Sequence, residues 1–129
     1  MPSKEVQSFL HIIFSIGARD YKFSSESRAK AKTKKMWRLS LPNRIPFAVQ
    51  INTKIPIIWM AAKDERNILK ALGKWDFYPS SLDDGERKGS HSNLTQIEEF
   101  RNRPDMVKVT ITTHNPTSIQ QAFSRIIAH

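Results

Sequence analysis

The sequence predicts one small α+β domain: a sheet of about four mostly antiparallel strands packed by helices, in the order α-β-β-β-α-α-β-α. Three observations predict it. The length of 129 residues suits a single domain over 1–129. Both ends of the chain carry apolar residues at helical spacing, while Met106–Thr113 alternates apolar and polar side chains like a half-buried strand. Between them, short apolar runs are punctuated by Pro and Asn turn signals.

Ser3 to Ile16 reads as a helix, because Val6, Phe9, Leu10 and Ile13 recur on one face. Ser3 can cap it, Glu5 suits its positive end, and Gly17 can stop it. Ile12, Phe14 and Ile16 widen the apolar face, which implies either deep burial or a homodimer contact. Met36–Leu41, Pro46–Ile51 and Ile55–Met60 read as three strands of a meander, with turns at Pro42-Asn43 and Asn52-Thr53. Ala62–Leu72 reads as a helix with the stripe Ile68, Leu69 and Leu72, stopped by Gly73. Trp75, Phe77, Tyr78 and Pro79 form an aromatic knot ahead of the polar run Ser80–Asn93. Asn93–Arg101 reads as a short helix whose Asn93 and Gln96 have capping-box spacing. In the strand Met106–Thr113, Val107, Val109 and Ile111 face one way. Asn115 and Pro116 open a last helix with the stripe Ile119, Ala122, Phe123 and Ile126. The helix between the third and fourth strands predicts a parallel crossover for that pair.

The charge is concentrated. Arg28–Arg38 is RAKAKTKKMWR, and six of these eleven residues are basic: Arg28, Lys30, Lys32, Lys34, Lys35 and Arg38. Arg19–Arg44, the segment expected to be exposed, holds nine basic residues against Asp20 and Glu26, and so carries seven of the nine net charges. An extended chain would line Arg28, Lys30, Lys32 and Lys34 along one edge, roughly 6.6–7 Å apart. That is comparable to the spacing of phosphates along a nucleic-acid strand. A helix capped by Ser24, Ser25 or Ser27 would instead group Arg28, Lys32 and Lys35. Either surface expects a polyanion, and the pI of about 10.1 agrees. Tyr21 and Phe23, beside the charge, could stack on bases or anchor the loop.

The chemistry of a catalyst is sparse. Without cysteine there is no disulfide, thiolate nucleophile or Cys-based zinc site, which suits an intracellular location, cytoplasmic or nucleoid-associated. No apolar run is long enough to span a membrane, and Met1–Lys4 does not lead into a secretory core. The Ser81–Asn93 loop holds Gly85, Gly89, Arg87 and Lys88 and could cradle a phosphate at a helix start, but it lacks Walker spacing. His91, His114 and Lys88 are the residues an acid–base ribonuclease would use. Asp83, Asp84 and Glu86 lack calcium-loop spacing, and no zinc or cofactor motif is present.

The element order α-β-β-β-α-β loosely resembles the core of the PD-(D/E)XK nuclease superfamily. The resemblance implies a metal-binding Asp at the second strand and an E-x-K on the third. Here those strands are PFAVQI and IPIIWM, with no carboxylate, and Glu86-Arg87-Lys88 lies on another element. That departure argues against nuclease activity and leaves open a nuclease-like domain that only binds DNA. The expected function is non-catalytic nucleic-acid binding, DNA ahead of RNA, through Arg28, Lys30, Lys32, Lys34, Lys35, Arg38, Arg87 and Lys88. The rivals are a ribonuclease or metal-dependent nuclease, and an interaction module for an acidic protein.

Overall fold

Ser3 opens the first helix, α1 (Lys4–Ser15), by accepting the Val6 N–H on its hydroxyl at 3.1 Å. Gly17, at φ 106°, turns the chain out of the helix in a conformation that disfavours a Cβ. Val6, Phe9, Leu10, Ile12 and Ile13 are buried, and Phe14 and Ile16 pack against the same core. Burial within the domain thus accounts for the breadth of the apolar face. The computed structural model describes residues 2–62, 64–79, 97–101 and 104–128.

Among the described residues, six strands form one sheet: β1 (Arg19–Asp20), β2 (Met36–Ser40), β3 (Pro46–Gln50), β4 (Ile57–Ala61), β5 (Gly73–Tyr78) and β6 (Met106–Ile111). Their order is β1-β2-β3-β4-β6-β5, and each neighbouring pair is antiparallel. The α+β class is as expected, and the sheet has two more strands than expected. β1 is two residues long, too short for a period to show. β5 is the aromatic knot, an end strand among the described residues, and Lys74 to Phe77 are all exposed, so no core-facing alternation marks it.

The expected parallel crossover is corrected. β4 pairs antiparallel with β6, with Ile58 opposite Val109. β5 also runs antiparallel to β6, so β4 and β5 share a direction with β6 between them. The crossover segment is real, but it delivers β5, a strand that the sequence pattern does not mark. That segment is a 3-10 helix, Asp64–Leu72, rather than an α-helix. Leu69 and Leu72, three apart, are buried on one side of it, as that period allows. Gly73 begins β5 directly. A Cβ there would lie 1.8 Å from the Thr110 carbonyl oxygen, so close approach to β6, not a helix stop, requires the glycine.

The sheet buries both faces. On one, Leu39, Phe47, Val49, Ile58, Met60, Val107, Val109 and Ile111 pack under α1, the 3-10 helix and α3 (Pro116–Ala128). Asn115 caps α3 through the Thr117 N–H at 2.9 Å. Phe123 fills the centre between Phe9 and Phe47, with ring centroids 6.0 and 5.9 Å away. On the other face, Met36, Ala48, Trp59 and Met106 pack with Ile97 and Phe100, the latter on α2 (Glu98–Arg101). The capping-box pair Asn93 and Gln96 lies outside the described residues. No described helix is long and apolar enough to cross a membrane.

Candidate nucleic-acid interface

The basic stretch is extended, not helical. Residues 28–34 alternate in burial: Arg28, Lys30, Lys32 and Lys34 are exposed, while Ala29, Ala31 and Thr33 are half-buried. Main-chain bonds to β2 impose that alternation. Lys32 forms a bridge with Trp37, the Arg38 N–H reaches the Ala31 carbonyl at 2.6 Å, and the Thr33 N–H reaches Met36 at 2.8 Å. The Thr33 hydroxyl closes the turn by accepting the Met36 N–H at 3.1 Å. Lys35 is exposed, and its carbonyl is held by the Ile51 N–H at 2.9 Å. Four cations thus project from one side of a bonded backbone.

Arg38 does not join them, and its assignment as a phosphate contact is corrected. It is 0% exposed. Its Nε donates to the Ala31 carbonyl at 3.2 Å, and its Nη2 donates to the Lys30 carbonyl. The guanidinium carbon sits 4.9 Å from the centroid of the Phe23 ring. Burial lowers its pKa from the ordinary arginine value. The strand period explains this position. Arg38 lies between Trp37 and Leu39 but points to the opposite sheet face, into the gap beneath the extended segment. It pins the backbone from which Lys30 and Lys32 project.

The aromatics near the charge are structural. Trp37 donates to Asp20 Oδ1 at 2.7 Å, packs on Phe14, and carries the Lys32 ammonium 4.6 Å from its ring centroid. Tyr21 and Phe23 meet edge to face at 4.8 Å, and the Tyr21 hydroxyl donates to Glu99 Oε1 at 3.0 Å. Burial is the main cause that raises the Tyr21 pKa. Trp59 is 0% exposed and donates to Gln50 Oε1 at 2.6 Å. Trp75 and Phe77 are well exposed, but they lie on β5, at the far end of the sheet from the basic stretch.

Arg19, Lys22 and Arg44 were counted in the sequence charge but not assigned to a site. All three are exposed and line grooves beside β1, of about 490 Å³ with Tyr21, Glu98 and Glu99, and of about 380 Å³ with Gly17, Leu41 and Pro42. The available signal was Arg44 itself, placed after Pro42-Asn43 where a turn favours glycine.

Arg87, Lys88 and His91, with Asp83, Asp84 and Glu86, lie outside the described residues. His114 is exposed at the rim of a cleft of about 260 Å³ floored by Phe9, Ile12, Ile111 and Ile119. Among the described residues, no three His, Asp or Glu side chains gather as a metal site. In comparisons with known proteins, the chain matches no family model, no curated protein and no solved structure.

Proposed function

We propose that this chain binds nucleic acid, DNA ahead of RNA, through phosphate contacts from the 28–35 edge. One observation carries the reading: Arg28, Lys30, Lys32 and Lys34 stand exposed on one side of an ordered extended backbone. Holding like charges in a row costs repulsion, and a polyanion relieves it. The spacing of alternate side chains, roughly 6.6–7 Å, suits a phosphate backbone. No described large aromatic is both exposed and beside this edge. Contacts from it therefore position the ligand without reading or stacking bases, which favours duplex over single strands. Arg87 and Lys88, outside the described residues, belong to the same proposal. A catalytic role has no support of comparable weight.

The test is an electrophoretic shift with duplex DNA, single-stranded DNA and RNA at two salt concentrations. The reading expects duplex DNA to be retained best, weaker retention at the higher salt, and little dependence on sequence. Absence of a shift with every nucleic acid at low salt contradicts it and leaves an acidic protein as the better partner.

A further inference from the structure

We propose that the groove between Arg19, Ser40 and Arg44 is a discrete site for a phosphate monoester, such as the one that ends a nucleic-acid strand. Two arginines line it from different elements. Arg19 stands on β1 directly opposite Ser40 on β2, and Arg44 stands on the turn from β2 to β3. The groove of about 380 Å³ that they share is otherwise lined by Gly17, Leu41 and Pro42, with no carboxylate, while the same Arg19, Ser40 and Arg44 also border the adjoining groove that holds Asp20, Glu98 and Glu99. Two positive charges match a dianionic monoester better than a singly charged internal phosphodiester.

The turn is built to hold Arg44. The Arg44 N–H returns to the Leu41 carbonyl at 2.8 Å, and the Leu41 N–H reaches Ile45 at 2.9 Å. Asn43 ties the turn to the end of α3, donating to the Ile126 and Ile127 carbonyls at 3.1 and 3.3 Å. From below, Gly17 packs so closely that an added Cβ would meet Pro42 Cγ at 2.8 Å. Arg44 itself has φ 66°, the sole positive φ of a non-glycine residue among those described. Glycine relieves that conformation in three-residue hairpin turns of this kind. An arginine in this left-handed conformation, lining a groove that a second arginine also lines, points to a use for its side chain.

The site deepens the nucleic-acid reading and rests on it for the source of the monoester. The competing explanation is structural: both guanidiniums merely offset the carbonyl end of α1. Arg44→Gly separates the two, because glycine relieves the backbone while removing the charge. Affinities for duplexes with 5′-phosphate and with 5′-hydroxyl ends are measured by anisotropy, and melting is followed with added inorganic phosphate. The 5′-phosphate should improve parent affinity about tenfold, the scale of a hydrogen bond to a charged group. Arg44→Gly and Arg19→Gln should abolish that preference, and Arg44→Gly should melt no lower than the parent without phosphate. Inorganic phosphate should raise the parent melting temperature more than that of Arg44→Gly. DNA binding with equal affinity for the two ends overturns the site and leaves the 28–35 edge intact. Arg44-dependent stabilisation by phosphate without any DNA binding supports the site and overturns the nucleic-acid reading. A lower melting temperature for Arg44→Gly in phosphate-free buffer assigns the arginine to the fold and overturns the proposal.

Discussion

Replacing Arg38 by Met tests whether a buried cation organises the exposed ones. Methionine keeps much of the side-chain volume and loses the bonds to the Lys30 and Ala31 carbonyls. A hydrogen bond from a charged donor contributes about 1.5–3 kcal/mol. Two such bonds amount to at most about 6 kcal/mol between them. Two effects reduce it: methionine avoids the desolvation of a buried guanidinium, and carbonyls freed near the surface regain water. A net loss of about 2–4 kcal/mol follows. For a domain of this size that lowers the melting temperature by roughly 10 °C. Urea denaturation gives the free energy, and trypsin supplies a local readout, since Lys30 and Lys32 are cut faster once their backbone is released. Affinity for DNA should fall while the slope of log K against log salt stays near the parent value, because Arg38 touches no phosphate. A loss under about 1 kcal/mol with an unchanged tryptic rate refutes the role assigned to Arg38.

Ile111→Ala, on the buried face of β6, should cost about 2–5 kcal/mol in urea denaturation, and a loss under about 1 kcal/mol would show that its packing is misjudged. Purified protein should leave DNA and RNA intact with Mg²⁺, with Mn²⁺ or without metal, as followed on denaturing gels; cleavage lost in His91→Ala or Glu86→Ala would establish a nuclease. The only two tyrosines, Tyr21 and Tyr78, both have pKa values raised mainly by burial. Their phenols stay protonated longer in the folded state, so their contribution to stability is complete below about pH 10 and is lost as pH rises through the folded pKa values. Phenolate absorbance should therefore appear at higher pH in folded protein than in urea, and Tyr21→Phe should flatten the alkaline loss of stability.

What the sequence revealed depended on whether a residue's environment leaves a local trace. Ser3, Gly17, Asn115 and Pro116 marked helix ends because caps act within a few residues. Val107, Val109 and Ile111 marked their strand because one face is buried. β5 escaped because an exposed end strand has no buried face to set a period. With β5 unrecognised, the crossover was joined to the wrong strand. Gly73 looked like a helix stop because its actual constraint, the Thr110 carbonyl, lies far along the chain. The same limit divides the candidate site. Alternation between Arg28 and Lys34 is readable as an extended edge, yet a helix competes with it, and the bonds to β2 decide the matter. The strand period sets Arg38 apart from its basic neighbours, but its burial was not readable, because the Phe23 ring and the carbonyls that enclose it are tertiary features. The Arg19–Arg44 groove likewise needs the sheet to bring its two sides together.

The central claim is that the cations of the 28–35 edge, Lys30, Lys32, Lys34 and Lys35 among them, meet phosphates. Its most direct measurement is the salt dependence of duplex DNA affinity for the parent and for the variant with all four replaced by Ala. Each lost contact lowers the slope of log K against log salt by about 0.9, so the slope should fall by up to about 3.6. Affinity should drop equally for unrelated sequences, and the variant should melt like the parent, because these side chains lie outside the core. A slope and affinity unchanged by the four substitutions would contradict the claim and move the contact surface away from this edge.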